Sequence, residues 1–136
     1  MNGSVEPATA DTNIAIYALT TSNRTDAATA ALRACRFLSV QVLNEYANVS
    51  LRKRQLDWTR VAEDIDELKR GIGTILDISA TANAEALRIA ERYRLSFYDS
   101  LLLAVAVAGG ASIFYSEDMQ HDLLIDGTLR IVDPFR

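Results

Sequence analysis

Four acidic residues lie inside or at the edge of the most apolar segments of this chain. Asp11 opens Asp11-Thr12-Asn13-Ile14-Ala15-Ile16-Tyr17, and Glu45 lies within Val40-Gln41-Val42-Leu43-Asn44-Glu45-Tyr46-Ala47. Asp99 precedes the apolar run Leu101–Ala108, and Asp118 follows Ser112-Ile113-Phe114-Tyr115-Ser116. A carboxylate in such surroundings is costly unless it is paired, hydrogen-bonded or bound to a cation. Gathered carboxylates also repel one another and raise each other's pKa, so a fold that collects several commonly holds a cation among them. Oxygen-only donors select Mg2+ or Mn2+ over zinc or copper. Such an ion retains waters and leaves room for a phosphate, and the natural reaction is hydrolysis of a phosphodiester by a metal-activated water.

Each acid also has an ordinary explanation. Asp11 suits a turn or helix N-cap, Asp99 suits the cap of the helix that follows it, and Asp118 suits a turn after a strand. Glu45 resists this treatment. Its flanks are apolar, and Val42, Tyr46 and Val49 mark the buried face of the same helix. A polar stripe with Asn44, Asn48 and Arg52 is the alternative, but Arg52 stands about two helical turns away, too far to be assumed a partner.

Composition narrows the other chemistries. The chain has 136 residues and a formal net charge of −4. That charge argues against a coating of positive potential for nonspecific DNA binding. Of the 14 basic residues only Lys53 and Lys69 are lysines. Cys35 and His121 are the sole cysteine and histidine, so no internal disulfide and no ordinary Cys/His zinc site can form. A Ser-His-Asp triad would need His121, and no Gly-rich turn presents a serine nucleophile. No apolar run reaches the length of a membrane span, and the first seven residues carry no signal-peptide pattern. The expectation is a cytoplasmic protein: a loose tail over residues 1–7 and a single domain over 8–136.

The elements that must position the acids can be read coarsely. Ala8–Ala10 ends a first strand, and Ile14–Leu19 begins a helix or turn. Asp26 is expected to cap a helix over Ala27–Ala34, and Ser39 a helix over Val40–Arg54. Asp57 caps an amphipathic helix whose face is Trp58, Val61, Ile65, Leu68 and Ile72, with Gly71 and Gly73 at its end. Thr74–Ile78 is a short strand. Thr81 or Asn83 opens the next helix, with Leu87, Ala90 and Tyr93 on its face. Asp99 or its neighbour starts the apolar helix that Gly109-Gly110 stops. Ser112–Tyr115 and Leu129–Val132 are the last strands. Strands alternating with helices predict an α/β sandwich with a mainly parallel sheet. Such sheets gather ligands outside the carboxyl ends of their strands, where all four acids can meet.

The segments Asp11-Thr12-Asn13, Leu38-Ser39-Val40-Gln41-Val42-Leu43-Asn44-Glu45-Tyr46, Phe97-Tyr98-Asp99-Ser100-Leu101 and Tyr115-Ser116-Glu117-Asp118, in that order, resemble the PIN-domain nucleases. Within them the chain is most similar to the VapC-type toxins of bacterial toxin–antitoxin pairs. The resemblance runs from about Ala10 to the C-terminus. It implies a three-layer PIN sandwich with a central parallel sheet, and Asp11, Glu45, Asp99 and Asp118 as the acidic site around Mg2+ or Mn2+. It implies Asn13 and Ser116 as supporting polar residues, and Glu117 as a competitor or assistant of Asp118. It further implies an endoribonuclease acting on RNA, a homodimer, and a cognate VapB-type antitoxin that covers the acids. Arg52, Lys53 and Arg54, with Arg88, Arg92 and Arg94, are the candidate RNA phosphate contacts. One departure is plain: Glu6-Pro7-Ala8-Thr9-Ala10 is less hydrophobic than the family's usual first strand.

Two other readings compete. Phosphoryl transfer through an aspartyl-phosphate would use a lysine late in the fold, and none follows Lys69. A catalytically silent PIN-like binding module would not need the complete acid set.

Overall fold

The computed structural model describes residues 6–136. Residues 1–5 of the expected tail lie outside the described residues. Pro7 is tied to the sheet, its carbonyl accepting from the backbone N–H groups of Ser112 at 2.8 Å and Ile113 at 3.2 Å. In chain order the elements are β1 (Ala8–Ala10), α1 (Thr12–Ala18), α2 (Thr25–Ala34), β2 (Leu38–Ser39), α3 (Val40–Arg52) and α4 (Trp58–Ile72). There follow β3 (Ile75–Leu76), α5 (Ala80–Tyr93), α6 (Phe97–Ala108), β4 (Ile113–Tyr115), β5 (Leu124–Ile125) and β6 (Leu129–Val132).

Four strands run in the order β1-β4-β6-β5, parallel throughout except for the β5–β6 pair. A second parallel pair, β2–β3, adjoins them through a bridge between Ala8 and Cys35. Arg36 donates its N–H to the Ala8 carbonyl at 2.8 Å, and the Thr9 hydroxyl donates to the Phe37 carbonyl at 2.8 Å. β1 is therefore the middle of the assembly, hydrogen-bonded on both sides, and all three of its residues are buried. Its small side chains are what a doubly covered strand needs where α1 and α2 pack closely, and the Thr9 hydroxyl finds a carbonyl instead of costing a desolvated donor. The weak hydrophobicity of this segment thus reflects crowding.

α6 reads as apolar on all sides and is buried from Ser100 to Ala106, as a central helix must be. α5 packs along it. The buried face of α5 is Ala82, Ala86 and Ile89, and Leu87 points outward at 57% exposure. Close helix–helix approach favours the alanine stripe over the larger side chain, which corrects the expected face. α4 needs a similar correction. Val61, Asp64 and Leu68 are its buried residues, whereas Trp58 is 79% exposed. The buried stripe is rotated toward Asp64, which leaves Trp58 at its margin.

Helix starts follow capping chemistry. Ser39 caps α3, its hydroxyl accepting from Gln41 N at 3.1 Å, and Asp57 caps α4, accepting from Arg60 N at 2.8 Å. Ser79, not Thr81 or Asn83, caps α5, and Ser96, not Asp99, caps α6. Asp26 lies in the first turn of α2, which has no side-chain cap. α3 stops at Arg52, two residues before its expected end, and Gln55 then takes a φ of +56°. β5 was not expected from the sequence. It joins β6 through a turn in which Asp126 (φ +51°) and Gly127 (φ +73°) are both left-handed, as an Asp-Gly hairpin requires. Gly109 ends α6 where a Cβ would stand 2.5 Å from the Phe37 ring and 2.7 Å from Leu76, so a larger residue there must displace both side chains.

Candidate active site

β1 and β4 end side by side, and their pairing fixes the first acid. Asp11 N donates to the Tyr115 carbonyl at 2.9 Å, one step beyond the strand ladder. The Asp11 carboxylate then accepts from Thr12 N at 2.7 Å, capping α1, and from the Ser116 hydroxyl at 3.0 Å. Ser116 is fully buried and in turn accepts from Met119 N at 3.2 Å. Asp11 is only 6% exposed. Burial pushes its carboxyl from 3.8 up to about 6; the Thr12 and Ser116 hydrogen bonds oppose the rise, and Asp99 and Asp118 add to it.

Glu45 enters from α3. Its two oxygens accept from the Thr12 hydroxyl at 2.6 Å and from the Gln41 side-chain amide at 3.2 Å. Asp99 comes from the first turn of α6, where a negative charge is favoured by the helix N-terminus. Because Ser96 does the capping, the Asp99 carboxylate is left to the cleft. Burial is the main cause that raises its pKa; the Ser96 hydrogen bond opposes it, and Glu45 and Asp118 add to it. Asp118, after β4, is exposed and accepts from the Asn13 amide at 2.5 Å.

These four acids line one cleft of about 310 Å3, together with Thr12, Asn13 and Asn48. Glu117 does not join them. It forms an ion pair with Arg24, whose guanidinium lies over the rings of Phe135 (4.8 Å) and Tyr17 (5.3 Å). Thr12, Gln41 and Asn48 were missing from the sequence-derived site. Gln41, Glu45 and Asn48 share one helical stripe, a signal present in the spacing.

Among the described residues, no three His, Cys, Asp or Glu side chains stand close enough to grip one bare ion. The reason is visible in the hydrogen bonds. Mutually repelling carboxylates turn to the nearest donors: Asp11 to Ser116, Glu45 to Thr12 and Gln41, Asp118 to Asn13. The donor set still fits a hydrated divalent ion. It is all oxygen, and Mg2+ retains waters that bridge to carboxylates. The raised Asp11 carboxyl is what a cation among these acids would bring back down.

Other chemistries find no support in the geometry. Cys35 is buried, and burial pushes its thiol up to about 12, which leaves it unreactive. His121 Nδ1 accepts from the backbone N–H of Asp133 at 2.9 Å. None of the six basic candidates lines the acidic cleft. Arg54 donates to the Tyr46 hydroxyl at 3.0 Å and to Ser50 at 2.9 Å, and so belongs to the α3–α4 packing. Arg88 pairs with Asp126 at 2.6 Å and Glu85 at 3.1 Å. Arg92 lies over the Tyr93 ring, and Arg94 is the left-handed residue that ends α5. Arg52 and Lys53 are exposed at the end of the Glu45 helix and form no ion pair among the described residues.

No curated protein matches this sequence. The structure is similar to a chain of a toxin–antitoxin complex from Klebsiella pneumoniae, with a TM-score of 0.67 and 19% sequence identity. That likeness covers 93% of this chain and 97% of the other, and it shows the shared fold. The family model of the PIN domain matches residues 8–123. PIN domains are generally nucleases that use divalent metal ions. That match spans most of the chain, and the chain belongs to the PIN-domain family.

Proposed function

We propose that this PIN domain is a divalent-metal-dependent endoribonuclease of the VapC type, the toxin component of a type II toxin–antitoxin pair. The observation that carries the reading is the cleft in which Asp11, Glu45, Asp99 and Asp118 face one another with no lysine or arginine among the lining residues. Asp11, Glu45 and Asp99 would hold Mg2+ or Mn2+, and Asp118 would complete the site. The chemistry such an ion would supply is charge neutralisation at a phosphodiester and a lowered pKa for water.

The chain's own groups do the positioning. The Thr12 hydroxyl and the Gln41 amide fix the two oxygens of Glu45. Ser116 fixes Asp11, and Asn13 fixes Asp118. Groups standing behind metal ligands in this way commonly contribute 10–100-fold to affinity or activity. Arg52 and Lys53, exposed beyond the acids on α3, are the remaining candidates to steer the RNA backbone.

The toxin assignment, a VapB-type antitoxin over the acids, a homodimer and a cytoplasmic setting rest on the family resemblance and on the toxin–antitoxin complex among the similar structures. No helix among the described residues is long and apolar enough to cross a membrane. The test is cleavage of single-stranded RNA with Mg2+ and with EDTA, for the native chain and Asp99→Asn. The expected outcome is cleavage that EDTA and Asp99→Asn each abolish. Undiminished Mg2+-dependent cleavage by a folded Asp99→Asn protein would overturn the assignment.

A further inference from the structure

A second cleft, of about 420 Å3, adjoins the acidic one and shares Glu45 and Asn48 with it. Its other lining residues are Gln41, Asn44 and Tyr98. Gln41, Asn44 and Asn48 recur at i, i+3 and i+7 on α3, opposite the buried stripe of Val42 and Tyr46. Asn44 and Asn48 are exposed. Tyr98 projects from the first turn of α6 and is 59% exposed, although the adjacent Phe97 packs against the core. The two rings meet edge to face at 5.4 Å, which steadies the tyrosine.

An exposed aromatic ring beside three neutral amides is a surface for a flat, uncharged, hydrogen-bonding partner. No lysine or arginine lines this cleft, so a phosphate is a poor occupant. An unpaired nucleobase suits it. The ring offers a stacking face, and the carboxamides offer donors and acceptors to the base edge. The wall shared through Glu45 and Asn48 places that base beside the phosphate held at the acids.

We infer that Tyr98, Asn44 and Asn48 form a nucleobase subsite that binds the unpaired base flanking the scissile phosphate and contributes to sequence preference. This deepens the ribonuclease reading and rests on it.

The test is anisotropy of short labelled single-stranded oligoribonucleotides with Mg2+, using Asp99→Asn as the parent so that the RNA survives. Adding Tyr98→Ala is expected to weaken binding about tenfold, the usual loss for one stacked base. Tyr98→Phe keeps the ring and is expected to bind as the parent does. Asn44→Ala, which leaves the aromatic ring intact, is expected to weaken binding severalfold and to flatten discrimination among bases. One abasic position in the RNA should cost the parent more than Tyr98→Ala does, and should cost Tyr98→Ala only the severalfold share carried by the amides. Equal affinity of parent, Tyr98→Ala and Asn44→Ala, additive abasic losses, or a parent that binds no RNA would each overturn the subsite. Failure of the ribonuclease reading looks different: the native chain leaves RNA intact in Mg2+ although the binding differences persist.

Discussion

Asp11 and Asp64 are almost equally hidden from solvent, at 6% and 4% exposure, yet their electrical surroundings are opposite. Asp64, on α4, accepts from the Tyr46 hydroxyl at 2.6 Å and from Arg60 at 3.0 Å. Arg54 donates to the same tyrosine hydroxyl at 3.0 Å, so the α3–α4 contact carries its own cations. Asp11 receives two neutral donors and faces Asp99 and Asp118. Burial alone therefore does not mark a site. What separates the two regions is that the chain supplies a counter-charge beside Asp64 and none beside Asp11.

The largest expected effect breaks the uncompensated side. Asp11→Asn should lower RNA cleavage by more than about 100-fold, since even groups behind metal ligands cost 10–100-fold. Its effect on folding should go the other way. A carboxyl whose folded pKa is about 6, against 3.8 unfolded, binds more protons folded than unfolded between those values. Stability of the metal-free chain therefore falls as pH rises from about 4 to 6, by roughly 3 kcal/mol from this group once both states are ionised. Urea titrations at pH 4.5 and 7 should show that slope in the native chain and a flatter one in Asp11→Asn.

Breaking the compensated side should give the reverse pattern. Asp64→Asn removes the charge that answers Arg60 and should cost about 2 kcal/mol of stability. Arg60 is half exposed, which keeps the loss below that of a fully buried pair. Mg2+ dependence of cleavage should be unchanged in that variant. A smaller change sharpens the contrast: Thr12→Val keeps the shape but removes the hydroxyl on Glu45. It should lower kcat about tenfold with melting nearly unaffected. Equal losses of kcat from Asp64→Asn and Thr12→Val, each measured well below its melting point, would erase the distinction between the two regions.

The sequence made the acids visible because each one breaks a hydrophobic pattern. Glu45 was the clearest, and α3 does turn it into the cleft. For Asp99 the ordinary capping explanation failed on a local detail, since Ser96 sits three residues earlier and takes that role. At Asp11 the ordinary role and a place in the cleft coincide: it caps α1 and lines the cleft. Asp64 was illegible as a buried group. It sits among Glu63, Asp66 and Glu67, and only the long-range approach of Tyr46 tells it apart. The same limit explains Trp58 and Leu87. Helical periodicity gives a face, but the neighbouring helix decides how far that face is rotated. β1 forms at Ala8–Ala10 as expected, and its weak hydrophobic signal belongs to three small residues that are all buried.

The most direct measurement is the melting temperature of the full chain with and without Mg2+ or Mn2+, at pH 7 and pH 5, for the native protein, Asp11→Asn and Asp64→Asn. An ion at ten times its Kd should stabilise the native chain by about 1.4 kcal/mol, a rise of a few degrees at pH 7. That rise should shrink at pH 5, where protonated Asp11 competes with the ion, vanish in Asp11→Asn and survive in Asp64→Asn. No shift in the native chain at about 20 mM of either ion, or an equal shift in Asp11→Asn, would contradict the account.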